Sequence, residues 1–200
     1  MKKLLKLTGG SYAGRRLYVP ETGVRPATNK VREAVFSTLR SWFPEGARGL
    51  AVLDLFAGTG SLGLEAISRG AVRATFVDAS ARSVSAIRRN LELLGFPGRV
   101  VRSEVQAYLR RSGPLDFDLV FMDPPYRYEG SPRVVELLVR ALAPGEGRMM
   151  VHERAFGREP PDFGGAADLV KRRRYGQTEL LYYRLRPVQP VPGEDPVAPP

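Results

Sequence analysis

Residues 121–126 read FMDPPY, an apolar stretch that runs into groups able to do chemistry. The carboxylate of Asp123 and the carbonyl of Pro124 are two acceptors. Pro124 and Pro125 hold them in place, since a proline fixes its own φ and restricts the residue before it. An amine attached to an aromatic ring is a poor nucleophile because its lone pair is delocalised into the ring. Two acceptors that take both N–H bonds favour a pyramidal nitrogen and aim its lone pair outward. Tyr126 adds a ring on which such a base can stack. The bland alternative is a turn that ends a strand, for which Asp-Pro and Pro-Pro are common.

A second stretch, VLDLFAGTGSLG at 52–63, offers a place for the other reactant. Gly58, Gly60 and Gly63 satisfy G-x-G-x-x-G, and Asp78 lies 20 residues beyond Gly58. Read mechanically, this is a dinucleotide fingerprint, with the later acid on ribose hydroxyls. Asp54 argues for a different nucleotide. A pyrophosphate at a helix N-terminus is favoured by amides and dipole, and a carboxylate held nearby would repel it. S-adenosylmethionine has no phosphate and carries an ammonium beside a sulfonium, which Asp54 can accept from. The alternative for Asp54 is a helix cap or a turn anchor. With that donor present, the FMDPPY amine site becomes a methyl acceptor site, and Asp123 can stabilise and then deprotonate the methylated nitrogen.

Both stretches need a scaffold. Residues 4–19 read as two short strands around Gly9-Gly10-Ser11. A loop with Pro20, Gly23 and Pro26 follows, then a helix from Asn29, a candidate N-cap, to the residues before Pro44. Strands are expected at 50–56, 73–78, 99–103, 118–123 and 147–152, and helices at 61–69, around 84–94, at 104–111 and at 131–142. This alternation implies a parallel sheet covered on both faces, with ligands beyond the carboxyl ends of its strands. FMDPPY ends the fourth strand of the alternation and should lie beside the loop of the first. Residues 169–173 and 179–185 read as an antiparallel hairpin around Gly176. Residues 187–200, rich in proline, read as a disordered tail.

Composition narrows the chemistry. With no cysteine, thiolate metal sites and cysteine nucleophiles are excluded. The one histidine, His152, cannot build a histidine metal cluster and is read as ending a strand; no metal is expected. The formal net charge is +10, and residues 1–50 hold ten Lys or Arg against three acids, or +7 of it. Such a surface attracts phosphates, nucleic acid first. No apolar run approaches a membrane span of about 20 residues and the opening apolar stretch is too short for a signal peptide, so a cytoplasmic location is expected.

The segments DLFAGTGSLGLEA, FVDAS and DPPY resemble class I S-adenosylmethionine-dependent methyltransferases acting on exocyclic amines. GGSYAGRRL at 9–17, RPATNKVREAVFSTL at 25–39 and RYGQTELLYY at 174–183 are similar, more narrowly, to the bacterial 16S ribosomal RNA guanine-N2 methyltransferases. The resemblance covers about residues 4–186. It implies an α/β, Rossmann-like fold with a seven-stranded, mostly parallel sheet and an antiparallel C-terminal hairpin. Residues 1–28 would form an N-terminal β-hairpin extension and linker, and 29–186 the methyltransferase domain. It implies methyl transfer from S-adenosylmethionine to the N2 amine of a guanine in 16S rRNA, with the small ribosomal subunit or its precursor as partner; a monomer is expected. Thr28, Asp54, Phe56, Gly58, Thr59, Gly60, Asp78, Ala79, Glu104 and Val105 would line the cofactor. Asp123, Pro124, Pro125 and Tyr126 would hold the base. Two positions depart from the family pattern: Glu104-Val105 stands where an acid-alanine pair is usual, and Asn29 where aspartate is common.

Lys2, Lys3, Lys6, Arg15 and Arg16 cluster on the N-terminal hairpin and, with Arg25 and Arg32, are the candidate RNA contacts. A solvated charged face is the alternative for each. Three rival functions share these motifs: an adenine-N6 methyltransferase of DNA or RNA, a nicotinamide-dependent oxidoreductase using the glycine loop, and a non-catalytic RNA-binding module. Asp-Pro-Pro-Tyr serves either purine amine, and the N-terminal motifs favour guanine.

Overall fold

The computed structural model describes residues 4–19, 27–125, 128–157 and 159–186. Lys2, Lys3, Arg25, Tyr126 and the tail 187–200 lie outside them.

The alternation expected from the sequence is present. Strands β3 (Ala51–Leu55), β4 (Arg73–Asp78), β5 (Arg99–Arg102), β6 (Leu119–Met122) and β7 (Met149–Ala155) run parallel. They are separated by helices α2 (Ser61–Ser68), α3 (Ala81–Leu94), α4 (Val105–Arg111) and α5 (Ser131–Ala141). Strands β8 (Ala167–Tyr175) and β9 (Thr178–Leu185) close the sheet as an antiparallel hairpin, in the order β5-β4-β3-β6-β7-β9-β8. The chain moves outward from β3 to β5, then returns to β6 on the other side. The crevice of an open sheet therefore lies between β3 and β6. All five residues of β3 and all four of β6 are buried, as strands covered on both faces must be.

Helix α1 (Asn29–Leu39) packs Val31, Val35, Phe36 and Leu39 on one face of the sheet with Leu62 and Ala66 of α2. Its N-cap is Thr28, whose hydroxyl accepts the Val31 amide, so Asn29 is the first helical residue rather than the cap. The Asn29 side chain is occupied otherwise, accepting from Arg32. His152 sits within β7, because that strand runs on to Ala155; burial pushes its imidazole down to about 4.

The short N-terminal strands β1 (Leu4–Lys6) and β2 (Arg16–Tyr18) pair antiparallel as a separate two-stranded sheet. Leu5, Leu7, Leu17 and Val19 bury against Leu64 and Ile67 of α2 and Ile87 and Leu91 of α3. Polar bonds sew the same contact. The Asn90 side chain bonds both backbone groups of Tyr18, and the Glu65 carboxylate accepts from the amides of Thr8 and Gly9 and from the Thr8 hydroxyl.

Candidate active site

The glycine loop is bent by a backbone that few side chains tolerate. Phe56, the first residue past β3, has φ +57°, the left-handed region that costs an ordinary residue roughly 1–2 kcal/mol. Gly58 and Gly60 follow with φ +54° and +73°. Gly63 has a different role: an added Cβ would lie 2.3 Å from the Phe76 ring, so its lack of a side chain lets α2 close onto β4.

Two acids hold this loop. Asp78, at the end of β4, accepts the Gly58 amide at 2.7 Å through one oxygen and the Ser80 amide at 2.8 Å through the other. Asp54 accepts the Gly63 amide at 3.0 Å. Gly60, at the N-cap of α2, has no side chain to supply that acceptor, so Asp54 does so from the strand. The anchoring role considered for Asp54 is thus real. Asp54 is nevertheless only 3% exposed, and burial, with the charge of Asp78 added, pushes its carboxyl up to about 8. A lone amide is too little compensation for a buried carboxylate. An acid held this way suits a neighbouring ammonium or sulfonium and opposes a phosphate.

Asp123 follows β6 directly. The β3–β6 register pairs Leu55 with Met122, which sets Asp123 beside Phe56. Its amide points to the Leu55 carbonyl at 3.5 Å. Burial, with the charges of Glu153 and Asp54, raises its carboxyl well above the usual range. The Pro125 carbonyl is committed to a turn by the Tyr128 amide at 2.8 Å, whereas Pro124 is buried and Pro125 exposed. The expected acceptors, Asp123 and Pro124, therefore stand beside the glycine loop.

One wall of this crevice was not read from the sequence. Tyr128 meets Phe56 edge to face, with ring centroids 5.0 Å apart, and its hydroxyl accepts from the Gln106 amide at 3.0 Å. The only signal for it was a second aromatic two residues beyond DPPY. Val105, beside Gln106, is buried at the start of α4, while Glu104 is exposed and makes no side-chain cap bond there. Thr59 is buried within the loop, and the Ala79 carbonyl accepts from Arg102.

The candidate RNA contacts divide. Arg15 and Arg16 are exposed on the hairpin. Arg32 is not a surface residue: it is fully buried, and its guanidinium bonds Glu65, the carbonyls of Ala27 and Lys6, and the Asn29 side chain. A cation completely enclosed by protein acceptors has nothing to offer a phosphate, so Arg32 is removed from the RNA-binding set. Its helix is pressed onto the sheet on the face where Arg32 points, and Glu65 receives it.

Among the described residues no cluster of His, Asp and Glu could hold a metal ion, and no helix is long and apolar enough to cross a membrane.

Comparison with known proteins agrees with this arrangement. The family model described as "Conserved hypothetical protein 95" matches residues 5–184. "Putative rRNA methyltransferase YlbH" of Bacillus subtilis is 32% identical over 187 residues, spanning 91% of this chain and all of the relative. "Ribosomal RNA small subunit methyltransferase D" of Escherichia coli is 38% identical over 125 residues, 62% of this chain and 61% of that enzyme. Among solved structures, "Putative methyltransferase yhhF from Escherichia coli" superposes with a TM-score of 0.82 at 29% identity, over 93% of this chain and the whole of the other. With its class I methyltransferase fold, its glycine loop and its Asp-Pro-Pro corner, the chain belongs to the Conserved hypothetical protein 95 family, the bacterial 16S rRNA guanine-N2 methyltransferase family that its motifs resemble.

Proposed function

We infer that this protein transfers a methyl group from S-adenosylmethionine to the exocyclic N2 amine of a guanine in 16S rRNA. The observation that carries the reading is the pair Asp54 and Asp123. They are two acids on adjacent strand ends, Asp54 buried on the glycine loop's own strand and Asp123 partly buried at an Asp-Pro-Pro corner. The first is matched to a cationic donor and the second to an amine acceptor. The relatives named for small-subunit ribosomal RNA supply the substrate class.

The bound donor supplies an electrophilic methyl carbon, whose bond to sulfur breaks, leaving its electron pair on sulfur, as the bond from nitrogen forms. This chain's residues do the rest. Asp54 faces the donor's ammonium while keeping the Gly63 amide, and Asp78 offers a partly exposed carboxylate to ribose hydroxyls. Asp123 and the Pro124 carbonyl take the amine's two N–H bonds, orient its lone pair and stabilise the positive charge growing on nitrogen. The proton shed afterwards goes to the Asp123 carboxylate. A guanine within folded RNA must swing out to reach this corner, and the Phe56 and Tyr128 rings offer it an apolar wall. Tyr126 is proposed as a further stacking partner.

The hairpin is proposed to grip RNA backbone. Lys6 lies directly opposite Arg16 in the β1–β2 register, and both are exposed. Like charges in that relation repel, and a phosphate between them turns repulsion into attraction. The protein is proposed to act as a monomer in the cytoplasm.

The test is to incubate labelled S-adenosylmethionine with unmodified small subunits, digest the RNA and identify the nucleoside. N2-methylguanosine is expected. N6-methyladenosine would move the function to the rival purine, and no label in RNA would remove the enzyme reading.

A further inference from the structure

A second acid, Glu153, is buried next to Asp123. The β6–β7 register ends on the pair Met122 and His152, and carried one step past the end of β6 it sets Asp123 beside Glu153, whose charge acts on Asp123. Side-by-side residues of neighbouring strands share a face. Asp54, opposite Phe121 on β3, lies two positions before the place opposite Asp123 and so on the same face again. Three carboxyls thus line one side of the sheet at its carboxyl end.

Glu153 is 8% exposed, and its Oε2 is buried without a hydrogen-bond partner among the described residues. The charged groups around it offer no relief. Asp54, on β3, lies beyond β6 and is itself an acid. On the helices packed on that face, Arg32 of α1 is taken by Glu65 of α2, and Glu33 is an acid. Leu180 of β9 stands opposite Glu153. The neighbouring Arg154 is aligned with Glu179 and ion-paired to it, on the other side of the strand. Burial pushes the Glu153 carboxyl up to about 7, and Asp123 is raised further by the charge of Glu153. Two adjacent acids with no cation between them keep at least one proton at neutral pH.

We propose that Glu153 is a positioning residue for methyl transfer, holding the shared proton so that Asp123 alone is ionised and receives the amine. The division follows from who supplies donors. The amine brings N–H groups to Asp123, so negative charge settles there and the proton stays on Glu153, among apolar neighbours. The protonated Glu153 then donates to Asp123 and fixes its orientation. When the methylated nitrogen loses its proton to Asp123, the pair holds two protons and is neutral, and one returns to water after the product leaves. The inference rests on the functional reading above.

Carboxyl-carbon NMR titration of the protein without ligands tests the proton, and Glu153→Gln and Glu153→Leu test its use. The wild-type pair should keep one proton between Asp123 and Glu153 above pH 7. In Glu153→Gln, Asp123 should titrate alone and at lower pH than the wild type's upper step, since the neighbouring charge is gone. Glu153→Leu, which removes the donor, should lower kcat on RNA about 10- to 100-fold with KM little changed, as for loss of a hydrogen bond to a charged group. Glu153→Gln keeps an N–H donor, mimics the protonated acid and should recover most of that loss. Both carboxyls ionised at pH 6, a fully active Glu153→Leu, or a Glu153→Gln as slow as Glu153→Leu would each overturn the proposal. If the wild-type protein methylates no RNA, the functional reading fails, while the titration still decides the proton pairing.

Discussion

Asp54 accepts the Gly63 amide at 3.0 Å, reaching from the end of a strand to the third residue of the helix that follows. One side chain thereby caps the helix, shapes the glycine loop and leaves a buried acid at the carboxyl end of β3, where the proposed function seats a cationic donor.

The protonation of Asp54 makes the first prediction. Its carboxyl holds a proton up to about pH 8 in the folded protein, against 3.8 in an unperturbed chain. Between these values the native state binds the extra proton, so this residue lowers stability as pH rises. Asp54→Asn keeps the acceptor for Gly63 and removes the ionisation. Without ligand, it should melt higher than wild type at pH 8 and show a smaller advantage at pH 5, by calorimetry. Its affinity for S-adenosylmethionine should fall about 10- to 100-fold, the cost of a charged hydrogen bond. The wild type should bind more tightly as pH rises through 8, a trend the variant lacks.

Asp123→Ala should separate binding from chemistry. Removal of an acceptor aimed at developing charge costs about 10²–10³ in kcat. Donor affinity, measured by titration calorimetry, should stay within about threefold, because Asp54 and Asp78 remain. An equal loss in both quantities would count against the amine-holding role.

Tyr128 tests the aromatic wall. Tyr128→Ala removes the ring that meets Phe56 and should lower kcat/KM on small subunits by about tenfold, the worth of one base–aromatic contact. Tyr128→Phe loses only the bond from Gln106 and should retain most of the activity.

Arg32 and the hairpin cations should behave oppositely. The Arg32–Glu65 pair is fully buried, so Arg32→Ala should destabilise the fold by about 3–5 kcal/mol in denaturant unfolding. Lys6→Ala with Arg16→Ala should leave unfolding nearly unchanged. It should also flatten the slope of log affinity for RNA against log salt by about 0.7 per lost phosphate contact.

What the sequence disclosed follows from how far each signal reaches along the chain. The alternation of strands and helices is written in local periodicity, and it is enough to bring Asp54 and Asp123 onto neighbouring strand ends. The glycine loop was equally legible, although Gly63 proves to be a packing residue against Phe76, which lies on another strand. Arg32 was misread because a cation on a helix normally faces water, and its partner Glu65 is 33 residues away with no local mark. The helix start was off by one because Thr28 and Asn29 are both good caps, and the choice depends on what Arg32 does with Asn29. Glu153 was hidden for a related reason: an acid after an apolar run reads as a strand leaving the core, and only the register with Asp123 makes it part of the site.

Helix α2 begins at the glycine loop and ends at Ser68, whose hydroxyl bonds the Gly9 carbonyl and whose own carbonyl takes the Ser11 amide. Its eight residues make a rod about 12 Å long, with the glycine loop at one tip and the basic hairpin riveted to the other. If the hairpin grips RNA backbone as proposed, that rigid span acts as a ruler between the gripped phosphates and the nucleotide whose amine reaches the Asp-Pro-Pro corner.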